Sequence, residues 1–580
     1  MFEINEINEN NIIVTCNNNS SVANLMNNYL VFSDNKMYIG EIVKIHNQLL
    51  TVNLVGEIIE NKFIFGINSK PSYNAKVFLV NTNYIPSILS YPEGINSLYL
   101  GLNATYNIKV NMNLDNFFNS HFSILGSTGS GKSFAFSKLI QSLFKESPNV
   151  PYNASLFIFD TYGEYQNAFK DLENNNHNIK YKSYTTNLES PEEKIKIPAY
   201  LLGVDDLAIL LNAENATQIH IIEKSLELVK IFNSTGDEIN KIKNNIIARA
   251  ILDILLSGRP AVQIRDQIFS ILAFYKTNEL NLETEIYQPG YKRALKHCLL
   301  IDADGKIREI ELLTDFFSKF LLDNNNYEIP ETKSIYSLKD IENAIDFALI
   351  SEGIFKSEKV YDNNNALKVR IHNLVENEYK IFFDYQEYVT KKDYINSLIT
   401  KNGAKAQLVN ININYVDDRF AKVIVKIISK MLFDVGKIIK PRGSRPFHII
   451  LEEAHRYVVN DDDTRILGYN IFERIAKEGR KYGVLLGLIS QRPSELSETT
   501  ISQCNNFLIF KMIHPKDSEY VNELIPFMTN SIKDRLHILQ PGNCYLFGTA
   551  FKLPTLIKFE KPTPTPESEN VNIINTWYKK

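Results

Sequence analysis

Residues Gly126, Ser127, Thr128, Gly129, Ser130, Gly131, Lys132 and Ser133 constrain this chain more than any other segment. They match the phosphate-binding loop G-x-x-x-x-G-K-[ST]. The apolar run Phe122 to Leu125 feeds the loop, and Phe136, Leu139, Ile140, Leu143 and Phe144 follow at helical spacing. Strand, glycine loop and helix is the order that phosphate binding needs. The glycines let backbone N–H groups turn inward, and the helix N-terminus adds a positive dipole end. Lys132 would reach the β- and γ-phosphates of a nucleoside triphosphate, and Ser133 would ligand Mg2+.

At 580 residues the chain is too long for one hydrophobic core, so two or three domains are expected. A net charge of -4 gives no support for nucleic-acid binding, but a basic stripe can hide within a balanced total. Cys16, Cys298, Cys504 and Cys544 are scattered and form no C-x-x-C pair, which argues against a disulfide framework and a zinc site. The polar N-terminus is unlike a signal peptide, and no apolar run approaches the ~20 residues of a membrane span. The expectation is a soluble, cytoplasmic protein with no membrane contact.

Residues 1–105 read as a small β domain, a barrel or sandwich, from strand-like runs at Met37 to Ile45, Leu49 to Ile59 and Lys76 to Val80. Residues 106–200 and 400–560 read as an α/β core. Its strands are expected at 122–125, 155–159, 407–413, 447–451, 484–490 and 507–511, alternating with helices as in a mostly parallel sheet. Residues 543–548 and 555–559 are expected to close it. Residues 201–399 read as an inserted helical subdomain, with helices over 216–232 and 239–256. Asparagine tracts at 174–176, 324–326 and 363–365 read as exposed loops. The tail, 561–580, carries Pro562, Pro564 and Pro566 and reads as linker-like. Trp577 and Tyr578 at its end would dock on a neighbouring subunit or stay disordered.

Phe447 to Leu451 is a buried-strand pattern that delivers Glu452 and Glu453 at its end. The first carboxylate would hold the water shell of Mg2+, and the second would polarise the attacking water. His455 reads as a packing residue or a ligand. A helix is expected from about 464 to 482, started by Asp461, Asp462 and Asp463. Arg480 near its end would reach a neighbour's γ-phosphate or merely complement the helix C-terminus. Gln491 would sense the γ-phosphate or cap its strand. Asp160 and Glu164 fall where ligands gather in open α/β sheets, although ordinary turn chemistry also accounts for them.

Together these segments resemble the HerA family of ATPases, relatives of the FtsK-like DNA pumps. Four matches carry the likeness: the glycine loop, Asp160-Thr-Tyr-Gly-Glu-Tyr165, Leu451-Glu-Glu-Ala-His455, and Glu478-Gly-Arg-Lys-Tyr-Gly483 followed by Ser490-Gln-Arg-Pro493. The resemblance implies a RecA-like P-loop ATPase core with an inserted helical subdomain, preceded by a small N-terminal β-barrel. It implies a homohexamer that moves double-stranded DNA by hydrolysing ATP with Mg2+, with Arg480 completing the neighbour's site. It also implies a partner enzyme docked on the barrel. In DNA end processing that partner is the NurA nuclease; in antiphage defence it is a NAD-hydrolase-type or nuclease-like effector. Two other readings share these residues: a nucleotide-gated scaffold ring that activates an effector, and a protein-transport ATPase related to type IV secretion motors.

Overall fold

The computed structural model describes residues 2–9, 11–17, 25–60, 62–146, 150–175, 178–322, 334–351, 358–460, 463–526, 528–568 and 573–578. The chain forms two compact units, one of Met1–Glu193, Ile395–Asp461 and Asn470–Lys580, the other of Lys194–Tyr394 and Asp462–Tyr469.

The first unit begins with β1 (Phe2–Ile7), β2 (Ile12–Cys16), β3 (Tyr29–Ser33), β4 (Met37–His46), β5 (Leu49–Ile59), β6 (Lys62–Phe65) and β7 (Lys76–Leu79). These lie in the order β2-β1-β7-β3-β4-β5-β6, and β2 also pairs with β5, which closes six strands into a barrel. Closure removes the exposed strand edges of an open sheet. Ile12, Val14, Leu30, Phe32, Ile42, Leu50 and Val52 fill the interior. The long strand β4 turns a corner at Gly40, where register slips; a Cβ there would sit 2.5 Å from Val52 Cγ1.

Eleven further strands form the large sheet of this unit. In chain order they are β8 (Ser97–Asn103), β9 (Lys109–Asn113), β10 (His121–Leu125), β11 (Leu156–Asp160) and β12 (Tyr181–Thr185). Two hairpins intervene, β13–β14 (Glu285–Gln288, Tyr291–Ala294) in the second unit and β15–β16 (Thr400–Lys401, Ala404–Lys405) in the first. Then come β17 (Leu408–Asn412), β18 (Phe447–Leu451), β19 (Val484–Ser490), β20 (Cys504–Ile509), β21 (Asn543–Gly548) and β22 (Thr555–Phe559). The order is β12-β17-β11-β18-β19-β10-β20-β21-β22-β8-β9. The first seven run parallel and the last four are added antiparallel. The parallel strands read as continuous apolar runs because helices bury both faces. The helix Lys132–Gln141 lays Phe136, Leu139 and Ile140 against Phe122, Ile124, Ile158 and Leu508.

Several expectations need correction. Strand β8 pairs with β22 near the chain's other end, so residues 97–103 belong to the large sheet and not to the barrel. Its apolar pattern suits either sheet; only the pairing partner decides. A short helix, Ile85–Leu89, lies between the two and packs with barrel residues Val31 and Ile39 and with Leu553. The helix expected over 464–482 is broken. Asp463–Leu467 ends at Gly468, whose φ is +80°. Asn470 then caps Ile471–Glu478 by accepting from the N–H groups of Phe472 and Glu473, and a 3-10 turn covers Gly479–Tyr482. Asp461 and Asp462, proposed as its start, lie outside the described residues.

The asparagine tracts also differ from expectation. Residues 363–365 lie within the helix Glu358–Glu376, where Asn364 is fully buried, and Asn174 and Asn175 end a short helix. Asn176 and residues 324–326 are outside the described residues. The tail is fastened where a linker was expected. The Thr563 N–H donates to Gln141, whose side-chain amide donates to the Pro564 carbonyl, and Asn167 donates to the Thr565 carbonyl. Trp577 and Tyr578 are exposed.

The second unit is mainly helical. Its longer helices include Ala216–Phe232, Asp237–Leu255, Ala261–Phe274, Leu338–Ser351 and Glu358–Glu376. Phe232, Tyr275 and Phe347 pack ring against ring within it. Among the described residues no helix is long and apolar enough to cross a membrane.

Candidate nucleotide site

Parallel strands deliver their following loops to one edge of a sheet. Here that edge collects the glycine loop after β10, the Asp160–Tyr165 turn after β11, the acidic pair after β18 and Gln491 after β19. The loop is held on both sides. The Gly126 N–H donates to the Ser490 carbonyl at 3.2 Å, and the Ser127 N–H to the Lys511 carbonyl at 2.8 Å. Gly126 is pressed against Phe510, where a Cβ would sit 2.6 Å from the Phe510 Cβ. Gly131 has φ +108° and lies against Gly542, whose N–H donates to the Ser130 carbonyl at 2.9 Å. An alanine at either position would therefore displace the loop.

Lys132 is buried, and its ammonium donates to the carbonyls of Gly126 at 2.8 Å and Ser127 at 3.1 Å. Burial lowers its pKa, opposed by Glu453, Glu452 and Glu164. Thr128 donates its hydroxyl to the Gln491 side-chain oxygen, which ties the exposed loop tip to the end of β19.

Glu453 adopts a left-handed backbone, φ 47° and ψ 48°. For a non-glycine residue this costs about 1 kcal/mol or more, and such strain clusters at working sites. Its carboxylate accepts the Gln491 backbone N–H, and Oε2 lies 3.3 Å from His455 Nδ1. Burial raises its pKa; Lys132 and the Gln491 N–H oppose the rise. His455 Nδ1 also lies 3.1 Å from the Ser490 hydroxyl, and burial holds its pKa at about 4, so the ring is neutral near pH 7.

Glu452, expected to hold the water shell of Mg2+, is engaged within the protein. Its Oε2 accepts the Thr161 N–H at 3.0 Å, and its carboxyl hydrogen-bonds to that of Asp160. Burial raises the pKa of both, that of Glu452 most strongly. Asp160 accepts the N–H groups of Glu164 and Tyr165, each at 3.0 Å, and the Asn410 side-chain amide at 3.2 Å. Thr161 donates its hydroxyl to the Glu452 carbonyl at 2.8 Å and lies 2.9 Å from the Tyr457 hydroxyl. Asp160 and Glu452 thus form the centre of a buried brace.

Glu164 leaves the same turn after Gly163, whose φ is +74° and which abuts Asn412. Its carboxylate interacts with the Ser133 hydroxyl, and its Oε2 is buried without a hydrogen-bond partner. Burial pushes its pKa up to about 6.

Arg480 is not at this edge. It is exposed, just before the amino end of β19, while the loop lies beyond the carboxyl end of the neighbouring β10. A seven-residue strand spans about 20 Å, too far for an arginine to reach the loop of its own chain. The expected residues other than Arg480 gather in one place. Thr161, Asn410 and Tyr457 were missed. Asn410 had a sequence signal, a polar residue inside the apolar strand Leu408-Val-Asn-Ile-Asn412. Thr161 and Tyr457 had none.

A glycine loop closing on a buried lysine, with acids from two neighbouring strands, on a mainly parallel sheet defines a P-loop ATPase. The profile described as "Helicase HerA, central domain" matches residues 98–432, more than half of the chain, and the chain belongs to that family. It is therefore an ATP hydrolase of the helicase and translocase class. The DNA double-strand break repair helicase HerA of Pyrococcus furiosus is 23% identical over 554 residues, 91% of this chain and 82% of its own. The protein of the same description from Sulfolobus acidocaldarius is 27% identical over 476 residues, 81% of this chain and 70% of its own. Among solved structures, VirB4 of Thermoanaerobacter pseudethanolicus is similar with a TM-score of 0.41 at 12% identity, covering 81% of this chain and 98% of that one. The bacterial conjugative coupling protein TrwB is similar with a TM-score of 0.43 at 10% identity, covering 84% and 94%.

Proposed function

We propose that this protein is a homohexameric motor that uses ATP to move double-stranded DNA and works with a partner enzyme, a nuclease or NAD-hydrolase-type effector, in DNA end processing or antiphage defence. The observation that carries the reading is the separation of Arg480 from the glycine loop across the sheet. In this reading an arginine exposed at the opposite edge serves a neighbour's nucleotide, and in a ring every site would be completed in this way. Relatives described as DNA double-strand break repair helicases support DNA as the track. Exposed Ile64, Phe65, Phe78 and Leu79 leave apolar surface on the barrel that suits a docked partner.

In this mechanism Lys132 gives up the Gly126 and Ser127 carbonyls for the β- and γ-phosphates. Backbone N–H groups of the loop hold the phosphate oxygens. Glu453 accepts a proton from the attacking water, oriented by the Gln491 N–H, and Gln491 reports the γ-phosphate to Thr128. Mg2+, when bound, spreads the charge on the β- and γ-phosphate oxygens, and the Ser133 hydroxyl would hold it.

The test is ATP turnover with and without linear double-stranded DNA, with Glu453→Gln as the blank. Stimulation by DNA and loss of turnover in the variant are expected. A measurable basal rate indifferent to DNA, alone or with a partner nuclease, would refute the motor and favour a nucleotide-gated scaffold ring.

A further inference from the structure

At the candidate site Glu452 and Glu164 differ in how far their oxygens are already engaged. Glu452 Oε2 holds the Thr161 N–H at 3.0 Å, and the carboxyl lies against that of Asp160. It is 4% exposed, behind a turn that Thr161 and Tyr457 fasten. Freeing it for a cation and its waters would break the brace. Glu164 comes from the other acidic strand end, next to Ser133. Its Oε2 is buried and unpartnered, as is Glu453 Oε2; buried acceptors left unsatisfied call for ligands, and of the two only Glu164 stands beside the loop serine. The Asp160 carboxylate fixes the approach of Glu164 by accepting its N–H at 3.0 Å. A neighbouring contact strengthens the placement: the Glu567 N–H of the fastened tail donates to the Glu164 carbonyl at 2.9 Å.

We infer that Glu164, not Glu452, is the carboxylate that faces the nucleotide-bound Mg2+ beside Ser133, and that Glu452 with Asp160 is a buried brace that positions Glu453. The inference rests on the glycine loop being the nucleotide site. Mg2+ keeps most of its water and takes one or two protein carboxylates beside the phosphates, so a single acid next to the loop serine meets its needs. Glu452→Gln keeps an acceptor for Thr161 and a donor for Asp160. Glu164→Gln removes the negative charge the ion needs while keeping the side chain's size.

The experiment is binding of a fluorescent N-methylanthraniloyl-ADP to the full chain across free Mg2+ concentrations. Wild type, Glu164→Gln, Glu164→Asp, Glu452→Gln and Lys132→Ala are compared. Glu164→Gln is expected to raise the Mg2+ concentration for half-maximal effect by about 10-fold or more, with saturating Mg2+ restoring binding. Glu164→Asp should give an intermediate shift, and Glu452→Gln should move the midpoint less than about threefold, well short of a lost ligand. A shift in Glu452→Gln without one in Glu164→Gln, or equal shifts in both, overturns the inference. So does loss of binding in Glu164→Gln that Mg2+ does not restore, unless Glu164→Asp folds and shows the Mg2+ shift. If Lys132→Ala binds as wild type does, the nucleotide-site assignment itself fails, an outcome distinct from the others.

Discussion

Thr161→Val tests the brace directly. The substitution keeps the shape of the side chain and removes one oxygen. That oxygen donates to the Glu452 carbonyl at 2.8 Å, and so the Tyr457 hydroxyl, 2.9 Å away, is the donor to it. Thr161, Glu452 and Tyr457 are 2%, 4% and 1% exposed, so water is poorly placed to replace the lost partner. A hydrogen bond contributes about 0.5–1.5 kcal/mol net, and a buried group left unpaired costs about 1–3 kcal/mol. The carbonyl and the phenol are both affected, which gives a loss of about 2–4 kcal/mol. In a unit of this size each kcal/mol lowers the melting temperature by about 2 °C, so a fall of about 4–8 °C is expected. The assay is scanning calorimetry of wild type, Thr161→Val and Thr161→Ser. The serine variant keeps the hydroxyl and should lose less than half as much. Turnover should fall with the valine change, because Glu453 follows Glu452 in the chain and inherits its displacement. Equal melting of the valine and serine variants, or a valine loss below about 0.5 kcal/mol, would refute the brace.

Lys132→Ala should weaken ATP binding by about 10–100-fold, the loss of a charge-assisted phosphate contact, as read by equilibrium titration; unchanged affinity would move the site elsewhere. Arg480→Ala should be inactive alone but recover turnover when mixed with Glu453→Gln subunits, since some interfaces then hold both parts. Failure to recover over a range of ratios, with subunit exchange demonstrated, would count against action between subunits. Burial pushes the Glu41 pKa from 4.5 up to about 7, against the pull of Arg535. The folded chain then keeps a proton that the unfolded chain releases. This stabilising contribution is full below pH 4.5 and is lost as pH rises through about 7. Melting temperature against pH should flatten over that window in Glu41→Gln; an unaltered slope would show that Glu41 is ionised in the fold.

The sequence by itself determined what lies within a few residues of chain. Gly126 to Ser133 between an apolar run and a helical face specifies the phosphate loop, because phosphate binding needs turn, lysine and helix end to be contiguous. Glu452 and Glu453 at the end of a buried strand were legible for the same reason, as was the long helix Ala216–Phe232, whose period repeats over several turns. Gly468 and Asn470 also carried a readable break signal within the segment expected as one helix.

Tertiary structure alone decided which groups meet across the sheet. Glu452 and Glu453 are neighbours in sequence, yet the turn at Glu453 sends one side chain into the brace with Asp160 and the other toward Lys132. β8 joins β22 in one sheet, and β2 meets β5 to close another, although their apolar patterns are interchangeable. Arg480 could have been a helix-end cation or a reagent for a neighbour; its place at the far edge of the sheet follows from the parallel direction of β10 and β19. Local pattern fixes which face of a segment is apolar, but partners distant in sequence are chosen by how whole surfaces pack and by which buried polar groups can satisfy one another.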